Sequence, residues 1–231
     1  IDRGTSNLFI GPAGTGKSTL AMQVARAAAA RGEKVVIFSF DENLRTLQTR
    51  LNAIGLSIDE HLASGRIRVQ QIDPAELPPG QFSNIVKEGV ITGGARMVII
   101  DSLNGYLNAM PDERFLNLQL HELLTFLSQL GVVSILTVAQ HGLVGTMRTP
   151  VDVTYLADTV VVLRYFESEG SVKKAIAVVK KRSGLHEDAI REFRVDHGGL
   201  RVGPPLTEFR GILTGTPTFG GASETMLPAR E

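Results

Sequence analysis

Three features that the sequence lacks limit the kinds of protein that this chain of 231 residues can be. It has no cysteine, which excludes disulfides, cysteine-type zinc sites and thiol nucleophiles. Its 24 basic side chains balance 24 acidic ones, so a general attraction to nucleic acid or to an anionic membrane is not expected. No apolar run approaches the roughly 20 residues of a membrane span, and no signal sequence opens the chain. We therefore expect a soluble, cytoplasmic protein that does not contact a membrane.

The chain also lacks an initiating methionine, and residues 1–4 run almost directly into an apolar segment. We expect that a further segment precedes them in the full gene product. With 43% hydrophobic residues, the chain is long enough to bury one α/β core. We predict one domain over residues 1–210 and a flexible tail over residues 211–231.

What the chain does have is a phosphate-binding motif. The run Gly11-Pro12-Ala13-Gly14-Thr15-Gly16-Lys17-Ser18 matches G-x-x-x-x-G-K-[ST], with an apolar segment before it and a helical segment after it. This context indicates a P-loop, although a chance glycine-rich turn is the alternative. We predict that these eight residues and Thr19 bind ATP, because backbone N–H groups at a helix N-terminus attract phosphate. Lys17 is predicted to bridge the β- and γ-phosphates, and Ser18 to ligate Mg²⁺.

Apolar strands and helical segments alternate through the first two thirds of the chain. The predicted strands after the P-loop are 34–40, 66–72, 97–101 and 132–140, and the predicted helices between them are 43–56, 81–92 and 112–130. Two β-rich pairs follow, 157–166 with 172–180 and 189–195 with 200–202, each joined by a turn. This order predicts an α/β fold with a mostly parallel sheet flanked by helices and with C-terminal β-hairpins.

Acidic side chains follow two of the buried strands. Asp41 and Glu42 end the second strand, and Asp101 ends the run Met97-Val98-Ile99-Ile100. The carboxyl ends of parallel strands face the ligand crevice, so Asp101 is predicted to help hold Mg²⁺ as a Walker B aspartate. Either aspartate would alternatively serve as the N-cap of the following helix.

Taken together, these features resemble the KaiC family of RecA-type P-loop ATPases, and most of all the second of the two tandem ATPase domains of that family. Four segments of the sequence show this resemblance. Three are the P-loop, Phe40-Asp41-Glu42 and Ile100-Asp101-Ser102-Leu103. The fourth runs from Ala157-Asp158-Thr159 through Lys180-x-Arg182 and His186 to Ala189-Ile190-Arg191-Glu192-Phe193. The first three are shared with RecA-like proteins in general, so the last makes the likeness specific. The resemblance implies a RecA-like fold and Mg²⁺-dependent ATP hydrolysis in a homohexameric ring. It also implies a role in circadian-clock-like or signalling regulation, with regulatory proteins docking at the C-terminal tail.

The resemblance also implies roles for individual residues. Asp41 and Glu42 stand where the family usually has two glutamates that activate the attacking water or hydroxyl. Because aspartate is one methylene shorter, we assign the main base to Glu42. Lys180, Arg182 and His186 match positions that reach the nucleotide of the neighbouring subunit, although a solvated basic strand end is the alternative.

Serine/threonine autophosphorylation is an optional further activity. In the resembled domain an adjacent Ser-Thr pair accepts phosphate, and the corresponding residues here are Thr154 and Tyr155. Thr154 keeps a suitable hydroxyl, and Thr149 matches another threonine, whereas Tyr155 is too long to share that geometry. Thr154 and Thr149 are the candidate phosphosites, with an ordinary loop residue as the alternative for Thr154.

Two other functions compete with a ring ATPase. One is an ATP-gated assembly or binding module with little turnover, which nothing in the residues excludes. The other is a DNA-dependent RecA-type motor, which needs loops that grip DNA. The glycine- and threonine-rich loop 141–154 offers Arg148 as its one fixed cation and no aromatic side chain before Tyr155, so we expect no nucleic-acid partner.

Overall fold

The computed structural model describes residues 1–77, 79–108, 113–142, 153–214 and 217–220. Nine strands of this part of the chain form one sheet: β1 (Ser6–Pro12), β2 (Val35–Ser39), β3 (Ile67–Gln71), β4 (Met97–Asp101), β5 (Val133–Gln140), β6 (Thr159–Ser168), β7 (Ser171–Lys181), β8 (Arg191–Asp196) and β9 (Gly199–Pro205). Their spatial order is β3-β2-β4-β5-β1-β6-β7-β8-β9. The six strands from β3 to β6 in that order pair in parallel, and the last three are antiparallel additions. The predicted fold class is confirmed.

Helices cover both faces of the parallel part of the sheet. They are α1 (Lys17–Ala30), α2 (Leu44–Ala53), α3 (Asp59–Ala63), α4 (Pro79–Ile91), α5 (Leu103–Asn108) and α6 (Glu113–Gln129). Alternate residues of β2 show the two layers. Val36 and Phe38 pack with α4, α5 and α6, whereas Val35 and Ile37 pack with α1 and α2. Strands that are buried on both faces need apolar side chains at every position, which explains the continuous apolar runs in the sequence.

The predicted helices and strands lie where the sequence indicated, with ends that differ by at most three residues. Two short helices were not predicted. α3 is one turn between a glycine-ended helix and a strand, and α5 follows directly on β4 without a glycine or proline to mark its start. Both are too short for an apolar period to show in the sequence.

The C-terminal hairpins extend the sheet beyond β6. The predicted pair 157–166 and 172–180 is the antiparallel pair β6 and β7, and the second pair is β8 and β9. A separate small sheet pairs β10 (Phe209–Arg210) with β11 (Thr218–Phe219), and Ile212 between them is buried beside Phe166. This small sheet spans the predicted domain boundary at residue 210, which stays a prediction. Most of the loop 141–154 and the tail residues 221–231 lie outside the described residues, as does the candidate phosphosite Thr149.

None of the helices in the described ranges is long and apolar enough to cross a membrane.

Candidate functional site

The P-loop connects the buried strand β1 to α1 at the carboxyl edge of the parallel strands. Gly14 and Gly16 adopt φ values of +75° and +113°, in the left-handed region that glycine enters without strain. Gly16 is the N-cap of α1, and in the described structure neither a side-chain cap nor an acidic residue occupies the first turn of this helix. Its first N–H groups therefore point into the loop, where they can receive an anion.

Lys17 folds back onto the loop that precedes it. Its Nζ donates hydrogen bonds to the carbonyl oxygens of Gly11 at 2.9 Å and of Pro12 at 2.7 Å, and the residue is 7% exposed. Burial lowers the pKa of Lys17 to about 8, and the nearby carboxylates of Asp101 and Asp41 oppose this shift. A buried ammonium that is held by neutral carbonyls is suited to bind phosphate, because a charged acceptor forms a stronger hydrogen bond than a carbonyl.

Asp101 is the centre of a hydroxyl–carboxylate cluster. It ends β4, it is 6% exposed, and its Oδ1 accepts hydrogen bonds from Ser18 Oγ at 2.9 Å and from Thr137 Oγ1 at 2.5 Å. Burial raises the pKa of Asp101, while these two hydrogen bonds act in the opposite direction. The carboxylate thus bonds to the P-loop serine and to the adjacent strand β5. Hydroxyl and carboxylate oxygens are hard ligands, so Ser18 and Asp101 fit the Mg²⁺ site that was predicted for them.

The acid pair after β2 lies beside this cluster. Ser39 at the end of β2 pairs in register with Asp101 at the end of β4. Asp41 is exposed, whereas the Glu42 carboxylate is partly buried and forms an ion pair with Arg50 of α2. The N-cap of α2 is Asn43, whose side chain accepts from the Thr46 N–H at 2.9 Å. The alternative interpretation of Asp41 as this cap is therefore wrong.

The β6–β7 hairpin supplies two contacts to the P-loop that were not predicted from the sequence. Tyr165 Oη donates to the Ala13 carbonyl at 3.2 Å, and Lys174 Nζ donates to the Gly14 carbonyl at 3.3 Å. Tyr165 and Lys174 are opposite each other in the hairpin, with Nζ 5.8 Å from the ring centroid. The alternating pattern in the sequence indicates that these two side chains lie on one face of the hairpin. It does not show that this face contacts the P-loop.

The remaining predicted site residues lie at the opposite edge of the sheet. Lys180 pairs with Val160 near the start of β6, and its Nζ donates to the Thr154 carbonyl at 2.9 Å. Arg182 Nη2 donates to the Tyr155 carbonyl at 2.6 Å, and Arg182 also forms an ion pair with Asp158. His186 is exposed in the segment that follows.

Strand register shows how far this cationic edge lies from the P-loop of the same chain. The start of β6 is level with Asn7 of β1, because Asn7 pairs with Thr159, whereas the P-loop begins at Gly11. Four residues of strand correspond to about 13 Å. The structure therefore brings the P-loop, Asp101 and Glu42 together, and it places Lys180, Arg182 and Thr154 elsewhere.

Comparison with known proteins identifies the family. A family model described as ATPase: KaiC matches residues 1–207. The chain belongs to the KaiC family of ATPases. The predicted resemblance is thereby confirmed, and ATP is the expected ligand of the P-loop at the level of the family.

Several curated KaiC proteins are similar to the chain at low identity. The circadian clock protein KaiC3 of Synechocystis sp. is 27% identical over 218 residues, which are 94% of this chain and 43% of the relative. The circadian clock oscillator protein KaiC of Thermosynechococcus vestitus is 25% identical over 224 residues, or 96% of this chain and 43% of the relative. That of Synechococcus elongatus is 24% identical, covering 91% and 41%. The chain thus spans less than half the length of these KaiC relatives.

Proposed function

We propose that this KaiC-family chain hydrolyses ATP with Mg²⁺ at a site that a second copy of the chain completes. The observation that carries the proposal is the position of three groups at one edge of the sheet. Lys17 of the P-loop, the buried Asp101 and the Glu42 carboxylate come from the ends of three parallel strands or the turns after them. That edge is where open α/β sheets bind their ligands.

The P-loop residues would bind and orient the phosphates. The free N–H groups at the start of α1 receive phosphate oxygens, and Lys17 exchanges its two carbonyl partners for the β- and γ-phosphates. Ser18 and Asp101 would hold Mg²⁺, which when bound offsets negative charge on the phosphate oxygens. Because Asp101 is buried, its negative charge is little screened by water and attracts a cation strongly.

Glu42 would act as the general base. Its carboxylate accepts a proton from a water molecule whose oxygen bonds to the γ-phosphorus, while the bond from that phosphorus to the bridging oxygen breaks and ADP leaves. Replacement of Glu42 by glutamine keeps the shape but removes the basic oxygen. We expect turnover to fall by roughly 10²–10⁴-fold, with ATP binding retained.

The cationic edge supports a site that is shared between subunits. Lys180 is level with Leu8 of β1, about 10 Å along the strands from Gly11, and Arg182 lies further from the P-loop of its own chain. Both side chains bond to carbonyls of residues 154 and 155 at the opposite edge of the sheet. Packing of this edge against the P-loop edge of a second copy would bring the cations to the phosphates, where they stabilise transferred charge. Such a head-to-tail contact repeats and closes into a ring, for which a homohexamer is our expectation from the family.

Mixing of two inactive variants tests the shared site. Glu42→Gln loses the base at its own P-loop edge, and the double variant Lys180→Ala/Arg182→Ala loses the cations at the opposite edge. In a random 1:1 mixture about a quarter of head-to-tail interfaces pair an intact Glu42 with intact cations, so phosphate release recovers to about a quarter of the parental rate. No recovery, with assembly intact by light scattering, would contradict a shared site.

Autophosphorylation is proposed as a second reaction of the same site. The Thr154 carbonyl accepts from Lys180, so Thr154 lies at the edge that would face the nucleotide of the neighbour. Its hydroxyl oxygen would attack the γ-phosphorus in place of water, with ADP as leaving group and the neighbour's Glu42 taking the proton. Protein-bound label from γ-labelled ATP that disappears in Thr154→Ala supports this reaction. Label that persists in this variant assigns the acceptor to another residue, Thr149 first.

An ATP-gated assembly module makes a different prediction for the same Glu42→Gln variant. Such a module would keep its ring assembly and its partner binding when hydrolysis is lost. A role in clock-like regulation, with partners at the tail, is our expectation from relatives that are named circadian clock proteins. Assembly without any phosphate release by the parent protein would favour the module over the enzyme.

A further inference from the structure

Arg50 holds both oxygens of the Glu42 carboxylate. It lies in α2, eight residues after Glu42, and its Nη2 donates to Oε1 while its Nε donates to Oε2 at 3.3 Å. The side chains are 34% and 19% exposed, so the pair is partly shielded from water. A two-point contact between a planar guanidinium and a carboxylate fixes the carboxylate plane as well as its distance.

The same arginine reaches the P-loop helix. Arg50 Nη1 donates to Thr19 Oγ1 at 3.4 Å, and Thr19 lies two residues after Lys17 and is 8% exposed. The guanidinium therefore connects Glu42, which follows β2, to α1. This connection sets the position of the carboxylate relative to the loop that would hold the phosphates.

The backbone of Glu42 is held from its other side. Ser39 Oγ donates to the Glu42 carbonyl at 2.6 Å, and the Glu42 N–H donates back to Ser39 Oγ at 3.4 Å. Because Ser39 belongs to the buried strand β2, the main chain of Glu42 is fixed to the sheet. Within the described ranges, Arg50 then remains as the contact that fixes the side chain.

From these contacts we propose that Arg50 is a positioning residue that orients the Glu42 carboxylate for water activation. The inference rests on the proposed function, in which Glu42 is the base. Each carboxylate oxygen has two lone pairs, so the two-point contact leaves one on each oxygen for a water proton. A base that is displaced by about 1 Å can cost roughly 10²-fold in rate, which makes such orientation matter.

Lysine should not replace Arg50 well. An ammonium is a compact point charge on a flexible stem and cannot hold two carboxylate oxygens and Thr19 in one fixed geometry. The helix itself does not depend on Arg50, because Leu47 and Leu51 on the neighbouring face of α2 are buried in the core. Substitutions of Arg50 are therefore expected to fold, with a cooperative urea-unfolding transition as the check.

The test is a double-mutant cycle between Arg50 and Glu42. Phosphate release and the affinity for a labelled non-hydrolysable ATP analogue are measured for the parent, Arg50→Ala, Glu42→Gln and the double variant. We expect Arg50→Ala to lower kcat by about 10- to 100-fold with the analogue affinity within about twofold of the parent. In the Glu42→Gln background the same change should have no further effect. Arg50→Lys should recover only a minor part of the rate, whereas Arg45→Ala, at an exposed position of the same helix, should retain it.

Three results would overturn the positioning role. Weaker binding of the analogue in Arg50→Ala would mean that the arginine contacts phosphate directly. An equal loss of rate with and without the Glu42 carboxylate would mean that it acts independently of the base. A faster variant would mean that the ion pair restrains Glu42. Failure of the proposed function is visible separately, as a parent without phosphate release or a fully active Glu42→Gln variant, and it would remove this inference as well.

Discussion

Because the Lys17 ammonium is buried, its effect on the free energy of unfolding can be predicted for the chain without nucleotide. Burial lowers its pKa from the ordinary value of 10.5 to about 8, which corresponds to roughly 3 kcal/mol of opposition to folding at pH 7. The hydrogen bonds to the carbonyls of Gly11 and Pro12 offset about 1 kcal/mol each. We therefore expect Lys17→Met to raise the free energy of unfolding by about 1 kcal/mol at pH 7, although it abolishes ATP binding.

The pH dependence is the sharper signature. Between pH 8 and 10.5 the unfolded chain keeps a proton on Lys17 that the folded chain has released, so rising pH stabilises the folded parent. The methionine variant lacks this group. Between pH 7 and 9.5 the free energy of unfolding should therefore rise by about 2 kcal/mol more in the parent than in the variant.

Urea unfolding without nucleotide, at pH 7, 8, 9 and 9.5, measures this difference. Lys34→Met serves as the control, because Lys34 is exposed and its Nζ also donates to a carbonyl, that of Gly93 at 3.1 Å. Any pH slope that the control shares with Lys17→Met is subtracted. A difference that stays flat across the range would refute the interpretation of Lys17 as a cation that is buried at a cost until phosphate binds.

Three further predictions follow from individual contacts. Gly14→Ala should weaken ATP binding by about tenfold in a fluorescent-nucleotide titration, because the residue has φ +75° and a Cβ would lie 2.8 Å from Tyr165 Oη; Gly65→Ala, with φ +68° and open space, should bind normally. Asp101→Asn should raise the Mg²⁺ concentration needed for half-maximal turnover by about tenfold or more. Phe82→Ala should lower the free energy of unfolding by about 3–5 kcal/mol, since this ring is 1% exposed in the core.

The sequence predicted the parts of the site that depend on local order along the chain. A P-loop is a contiguous motif, and acids at the ends of apolar runs reach one edge because parallel strands share a direction. Lys17, Ser18 and Asp101 are therefore close together in the structure, as expected.

Side chains that depend on register or on helix phase were missed. Thr137 is a β-branched residue inside a buried strand, and only the pairing of β4 with β5 shows that its hydroxyl reaches Asp101. Arg50 reaches Glu42 because α2 starts at Leu44, which sets the face of the helix on which it lies. An arginine three residues after the buried Leu47, in a helix that directly follows an acid pair, was the available signal.

Lys17, Asp101 and Glu42 each bond to other groups of the same chain. Lys17, which would bind phosphate in the proposed function, donates to the carbonyl oxygens of Gly11 and Pro12. The Ser18 hydroxyl donates to Asp101, with which it would hold Mg²⁺. Arg50 likewise donates to Glu42, but that pair can persist during catalysis because it leaves lone pairs free. In the proposed function, binding of ATP with Mg²⁺ would therefore exchange two sets of contacts and keep the third. In the proposed function the substrate would thus create little new order at its phosphates, and the cationic edge of a second copy would complete the site.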